Sequence, residues 1–475
     1  MSVSPATSSS AGATPGGESP VDGATAGLRV AVVGAGPAGI YASDILTKSD
    51  DTVTVDIFDR LPTPYGLIRY GVAPDHPRIK QIIVALHRVM ENPRIIFRGN
   101  VHVGVDVKVD ELREHYDAII FATGAERDRD LSIPGSDLRR SYGGADFVAF
   151  YDSHPDREQT WDLSDATSVA VIGVGNVGLD VARILARTGD ELLYTDIPPH
   201  VHAVLAKSVV TDVHMFARRG PAQAKFTPVE LRELDHSPNV QVVVSPEGME
   251  FDQGSMDAIN SAKAQRMVVD VLSDWAVRDI DPAPRARIHI HFLQNPVEIL
   301  GEDGAVVGLR TEQMELTGDA GVRGTGNFTD WEVQAVYRAV GYRSEAIEDL
   351  PFDTAKLVLP NVAGRVTDLD GSPLTGIYAT GWVKRGPVGL IGHTKSDAAE
   401  TVAHLLADAP QLPRATQRDS ASVDRLLADK GLSATDFAGW DRLDAHERSL
   451  GDADVYDRER VKVTSRAEMT DIAAR

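Results

Sequence analysis

An α/β architecture of two doubly wound parallel-sheet domains, the second inserted into the first, is the fold class this sequence predicts. Three observations predict it. A strand–glycine turn–helix–strand unit opens at Leu28, and the same pattern restarts at Ser168. A small-residue strand end, Ala122-Thr123-Gly124, is then echoed late in the chain at Ala379-Thr380-Gly381. Repeated units of this kind build parallel sheets covered by helices on both faces.

The elements follow in order. Residues 1–27 are rich in Ser, Ala, Gly and Pro without apolar periodicity, so they bury too little surface to offset ordering entropy and are expected to be a disordered tail. Leu28-Arg29-Val30-Ala31-Val32-Val33 is a short apolar run that stops at Gly34. A helix over 40–48, a strand over 52–58 and a buried strand over 118–124 complete the first unit. In the second, a strand over 168–172 leads through a turn at 173–178 into a helix over 179–187. Residues 28–127 and 341–475 would form one domain and 128–340 the insert. From about Gln411 the chain turns polar and mostly helical (423–430, 439–451), an extension to which no chemistry attaches.

Composition removes several classes. At 475 residues the chain exceeds the size of a single core, so two domains are expected. A net charge of -22 argues against general affinity for nucleic acid or anionic lipid. There is no apolar run of about 18 residues, so no membrane insertion is expected. The N-terminus lacks a charged-then-apolar signal pattern, which points to the cytoplasm. The chain has no cysteine, which excludes disulfides, thiolate metal sites, Cys-ligated iron–sulfur clusters and a Cys-X-X-Cys redox pair.

Gly34-Ala35-Gly36-Pro37-Ala38-Gly39 fits G-x-G-x-x-G after a strand and before a helix. The first glycine permits the tight turn, the second lets a pyrophosphate approach the backbone, and the third allows close helix–strand packing. The pyrophosphate would sit on the helix N-terminus. Asp59 closes the next strand and can accept hydrogen bonds from ribose hydroxyls, so this site suits FAD or NAD(H) and disfavours a 2′-phosphate.

Gly173-Val174-Gly175-Asn176-Val177-Gly178 repeats the motif in the same context. Here the following strand ends in Arg218-Arg219-Gly220, and two guanidiniums suit the 2′-phosphate of NADP(H). Arg218 lies about 40 residues beyond Gly178 rather than the usual ~20, which an inserted segment over 192–210 explains. The fold class is therefore two Rossmann-like dinucleotide-binding domains, the NADP domain inserted into the FAD domain. Hydride taken from a nicotinamide could leave a flavin singly or in pairs. With no cysteine, the electrons must leave for something outside the chain.

Four longer strings carry a resemblance: residues 61–77 (LPTPYGLIRYGVAPDHP), 218–221 (RRGP), 226–234 (FTPVELREL) and 381–392 (GWVKRGPVGLIG). With them the sequence resembles the adrenodoxin-reductase-like ferredoxin–NADP⁺ reductases, bacterial members especially, from about Leu28 to at least Gly451. The resemblance implies an NADPH–ferredoxin oxidoreductase, with a small iron–sulfur protein as partner. It places Ala38, Asp59 and Leu67, a backbone group near Val101, Trp382 and Gly389, Leu390 and Ile391 at FAD. A helix over 394–405 would direct its N-terminal dipole at a reduced flavin. It places Arg129, Val174, Gly175, Asn176, Val177, Arg218, Arg219, Glu230 and again Gly389 at NADP, and His76 with Glu233 near the reacting centre as positioning or proton-handling groups. Two departures stand out: the family commonly has Asn where Val174 stands, and Ala where Gly178 stands.

Ferredoxins are usually acidic, so a local basic patch is expected, with Lys80, Arg88, Arg94, Arg98, Lys384 and Arg385 as candidates. Two other readings remain open at this point: a diaphorase or flavin monooxygenase that reduces a quinone or oxygen, and a nucleotide-sensing protein without turnover.

Overall fold

The computed structural model describes residues 27–389, 391–419 and 421–475. Residues 1–26 of the tail expected over 1–27 and the flavin candidate Leu390 lie outside the described residues, as does the Ile391 side chain.

Two parallel sheets dominate. The first runs, in spatial order, Asn361–Val362, Arg365–Thr367, Pro373–Ala379, Ala118–Phe121, Arg29–Val33, Thr54–Phe58 and Ile95–Arg98, the last five strands all parallel. The second runs Ser141–Gly143, Ala335–Arg338, Ser168–Ile172, Asp212–Phe216, Ala286–His291 and Val240–Val244, parallel throughout. The last three-residue-plus strand of the first sheet, Pro373–Ala379, returns to pair with Ala118–Phe121 after the whole second sheet has been built. The chain enters and leaves the second sheet along one antiparallel pair, Arg127–Asp128 against Tyr342–Arg343.

Alternation explains why the strands read as unbroken apolar runs. Val30, Val32, Val55, Ile57 and Ile120 face one core, while Ala31, Val33, Phe58, Ile119 and Phe121 face the other. A strand buried on both faces has no polar side to show. The helices Pro37–Ser49 and Asn176–Ala186 begin at the glycine turns themselves, three residues earlier than the apolar pattern predicts. Ile391–Asp408 likewise exceeds the expected helix at both ends.

One element was not expected. Gln294–Glu302, Ala305–Leu316 and Val322–Glu332 form a three-stranded antiparallel sheet. Its Trp331 packs on Phe216 and His291, with ring centroids 5.1 and 4.5 Å apart, and so covers one face of the second parallel sheet. Among the described residues no helix is long and apolar enough to cross a membrane.

The C-terminal extension packs on the first sheet and reaches the second unit. Helix Phe437–Asp452 buries Trp440 and Leu443 in the core of the first sheet. Beyond it, Lys462 pairs with Asp152 (3.1 Å) and donates to the Arg69 carbonyl, while Arg466 holds Asp156 and donates to the Arg60 carbonyl. These contacts tie the two units together from the outside.

Candidate functional site

At the first glycine turn, Gly34 has φ +112° and donates to the Phe58 carbonyl at 2.7 Å. A Cβ on Gly34 would stand 2.4 Å from the Ala122 carbonyl oxygen, and one on Gly39 would stand 2.0 Å from the Gly34 oxygen. A Cβ on Gly36 would meet nothing within 4 Å. Gly36 is the N-cap of helix Pro37–Ser49, with Pro37 in its first turn and no side chain capping it. Two glycines are thus locked by the protein's own backbone, and the middle one opens on free space at an uncapped helix terminus. That is a cradle fitted to a pyrophosphate.

Asp59 closes this turn. Its Oδ2 accepts from the Ala35 amide (2.7 Å) and its Oδ1 from the Leu61 amide (2.9 Å). Burial pushes its carboxyl up to about 6, against those two hydrogen bonds, which favour the charged form. Val101 lies beside it, its amide donating to the Asp59 carbonyl at 2.9 Å, so the Val101 N–H itself is taken.

The second turn repeats the design. Gly173 has φ +123° and donates to the Phe216 carbonyl at 3.0 Å; a Cβ on it would stand 2.3 Å from the Ala339 oxygen, and one on Gly178 would stand 2.6 Å from the Gly173 oxygen. Gly175, the uncapped N-cap of Asn176–Ala186, again faces open space. The Asn176 side chain accepts from the Thr227 amide (3.0 Å), and the Lys225 amide donates to the Val174 carbonyl (3.1 Å), which fastens helix Pro228–Glu233 to the turn. Arg218 is exposed and Arg219 half-buried at the end of the neighbouring strand. Among the described residues neither guanidinium has an ion-pair or hydrogen-bond partner. Arg129, exposed beyond Arg127–Asp128, is held only through its amide, which donates to the Gly341 carbonyl.

A narrow cleft lies between the two units. Leu67, Gly66 and Tyr70 line it from the first unit, Ala145, Val148 and Arg157 from the second, and Tyr342 from the connection between them. Trp382 and Val177 pack on one shared cluster of Ala125, Ala145 and Tyr342, so a flavin candidate and a nicotinamide candidate meet there. Gly389 has φ +91°, a conformation in which a side chain is strained, and a Cβ would stand 3.1 Å from Arg385.

His76 is buried at the seam. Its Nδ1 lies 3.0 Å from Glu233, and its Nε2 lies 3.0 Å from Asp180 and 3.2 Å from Glu230. Burial would lower its pKa, but the hydrogen bonds of Asp180 and Glu230 and the charge of Asp180 outweigh burial and raise it to about 10. Arg183, 2.5 Å from Nε2, opposes the imidazolium but is itself engaged by Asp75 (2.7 Å) and Asp180 (2.7 Å). Glu230 Oε2 is thus a buried oxygen whose partner is His76. The histidine of a Pro-rich loop is therefore a charged bolt between units rather than a solvated side chain. Asp180 and Arg183, which hold it, were not singled out in the sequence; their i,i+3 spacing on the helix after the second turn was the available signal.

A raised histidine pKa contributes stability that is complete below the unfolded value of about 6.5 and is lost as pH rises through about 10. The folded protein should therefore lose stability, on the order of a few kcal/mol, between about pH 6.5 and 10. His76→Gln should flatten that slope in denaturant titrations taken across this range. An unchanged slope would remove the imidazolium from the seam.

The expected basic patch needs correction. Lys80 is paired with Asp196 (2.8 Å), Arg98 with Asp56 (2.7 Å) and Asp424, and Lys384 with Asp397 (3.0 Å) and Glu400; Arg98 and Lys384 are buried and Lys80 is partly so. Arg94 donates to the carbonyls of Thr47 and Asp50, and Arg385 to that of Val388. Only Arg88 of the six is exposed without a partner.

Comparison with known proteins follows the same lines. Residues 28–220 match the family model described as pyridine nucleotide-disulphide oxidoreductase, although this chain has no cysteine with which to form a disulfide. The chain is 37% identical over 441 residues to the NADPH:adrenodoxin oxidoreductase, mitochondrial, of Arabidopsis thaliana, covering 89% of this chain and 91% of that protein. It is 40% identical over 454 residues to the NADPH-ferredoxin reductase FprA of Mycobacterium leprae, covering 93% and 97%. The solved structure of Mycobacterium tuberculosis FprA in complex with NADPH superposes with a TM-score of 0.87 at 38% identity, over 94% of this chain and all of that one.

Proposed function

The chain belongs to the family of the NADPH:adrenodoxin oxidoreductases and NADPH-ferredoxin reductases, and on that premise we propose that it passes a hydride from NADPH to FAD and then single electrons to a ferredoxin. The observation that carries this reading is the pair of open glycine cradles with opposite chemistry behind them. Gly36 is backed by the acid Asp59, and Gly175 by the unpaired cations Arg218 and Arg219.

In this reading residues 28–127 and 341–475 hold FAD and 128–340 hold NADPH. FAD, when bound, supplies a centre that takes a hydride and gives electrons up one at a time. The chain's own residues do the rest. Asp59 receives the ribose hydroxyls of the adenosine half; Gly36 and Gly175 admit the two pyrophosphates. Arg218 and Arg219 hold the 2′-phosphate, and Arg129 adds a further cation. Trp382, Leu67 and Gly389 shape the wall against which the two rings meet, with Val174 and Val177 on the nicotinamide side. Glu230, at the N-terminal turn of helix Pro228–Glu233, stands on the NADP side and holds His76 (3.2 Å). His76 and the half-buried Glu233, paired at 3.0 Å, position the nicotinamide half at the seam.

The electron acceptor is an acidic iron–sulfur protein. Arg78 and Arg232 support a docking face: both are exposed and without partners among the described residues, and they stand on opposite sides of the seam, Arg78 two residues beyond His76 and Arg232 next to Glu233. With a net charge of -22 such a patch acts only locally, within a Debye length of about 8–10 Å.

The test is NADPH-dependent reduction of a panel of ferredoxins, with cytochrome c as reporter and oxygen consumption followed in parallel. Cytochrome c reduction is expected to require a ferredoxin. A rate that is independent of ferredoxin and matched by oxygen uptake would turn the reading to a diaphorase or oxidase.

A further inference from the structure

Across the short helix Leu67–Tyr70 from the cleft just described lies a second one. Leu67 and Tyr70 face the first cleft, Ile68 and Arg69 the second. The C-terminal extension forms much of its wall, through Trp440, Arg448, Arg460 and Lys462.

Its charge is unlike that of the chain. Arg69, Lys80, Arg448, Arg460 and Lys462 line it, against only Asp196 and Glu459, in a protein whose net charge is -22. Buried cations are costly unless paired, and three of these are paired from behind. Glu447 holds Arg69 at 2.5 Å, Asp444 holds Arg460 at 2.5 Å, and Asp152 holds Lys462 at 3.1 Å. None of those three carboxylates lines the cleft, whereas Asp196 and Glu459 do, pairing Lys80 and Lys462 (2.8 and 3.3 Å) and Arg448 and Arg460 (3.4 and 3.5 Å), so five lining cations face two lining carboxylates. Arg69 is 3% exposed, and its Nε–H is buried without a hydrogen-bond partner. Beside this positive wall, Ile83 and Val84 supply an apolar one.

We propose that this cleft binds a small organic anion, a carboxylate or a phosphate ester on an apolar body, at a site separate from both dinucleotides. Guanidinium and ammonium groups bind either acid group through charge-assisted hydrogen bonds, and Ile83, Val84 and Trp440 offer an apolar body a surface beside them. The floor of the cleft also joins the two units, because Lys80 and Lys462 both reach Asp196, at 2.8 and 3.3 Å. A ligand held there stabilises the joined arrangement, so it raises the melting temperature of the whole protein.

The experiment titrates phenylphosphate, benzoate and inorganic phosphate into the full-length FAD-loaded protein with NADP⁺ saturating, so that the Arg218 and Arg219 site is blocked. Calorimetry and thermal melting are the readouts. We expect one saturable site for phenylphosphate or benzoate, about tenfold or more tighter than for inorganic phosphate; whichever binds tighter distinguishes the phosphate ester from the carboxylate. Arg448→Gln removes a cation at the rim, and Val84→Asp places an acid on an exposed position of the apolar wall. Each should weaken binding about tenfold or more while the protein stays yellow and melts as before without ligand. Both positions are largely exposed, so folding is preserved where a change at Arg69 or Arg460 would endanger it. No saturable binding, equal binding of inorganic phosphate, or binding that survives both substitutions would overturn the proposal.

Discussion

Replacing Arg218 and Arg219 together by alanine is expected to weaken NADPH about 100-fold or more and to leave NADH nearly unchanged. Each charge-assisted hydrogen bond to a phosphate contributes about 1.5–3 kcal/mol, and the exposure of Arg218 argues for the lower end. Neither guanidinium has a partner in the described protein, so removing them strands no buried carboxylate and should leave the fold intact. The effect is then confined to a ligand that carries a 2′-phosphate. KM and Kd for both coenzymes, measured on one preparation, decide the matter. Equal losses for NADPH and NADH would refute the 2′-phosphate assignment. The Lys–Lys variant should recover only part of the difference, because an ammonium lacks the planar fork.

Much of the fold was legible because its signals are local. Parallel strands buried on both faces appear as apolar runs, and strand 168–172 matches the observed Ser168–Ile172. Glycine turns announce helix starts, although Pro37 and Asn176 begin their helices before the apolar period does. The three-stranded sheet was not legible. Strand Val322–Glu332 is exposed along most of its length, and its pairing is shifted near Glu312 and Met314, so no clean alternation survives. The basic candidates failed for a related reason. Lys80 finds Asp196, Arg98 finds Asp424, and Lys384 finds Glu400, partners that the fold supplies and spacing along the chain does not reveal. His76 shows the same limit: its Pro-rich neighbourhood reads as a surface loop, while its charge is set by Asp180, Glu230 and Glu233 about 100 residues or more away.

The glycine motif itself can be divided by substitution into what the protein needs and what the ligand needs. Gly36→Leu is expected to give a folded, colourless protein, and Gly39→Leu a protein that does not fold. Gly36 has φ −76°, which any residue adopts, and its Cβ would meet nothing within 4 Å, so no contact within the protein demands glycine there. Only a pyrophosphate lying against the backbone does, and displacing it from an uncapped helix terminus removes several charge-assisted hydrogen bonds at about 1.5–3 kcal/mol each. At Gly39, by contrast, a Cβ would stand 2.0 Å from the Gly34 carbonyl oxygen, inside the tightest part of the turn. The second motif should divide in the same way. Gly175→Leu keeps the flavin and loses NADPH, because Gly175 also opens on free space while Gly178 is 2.6 Å from the Gly173 oxygen. Flavin absorbance per mole of protein, far-ultraviolet circular dichroism and NADPH titration separate these outcomes. A Gly36→Leu protein that retained a full complement of flavin would show that the first cradle is not where the pyrophosphate lies.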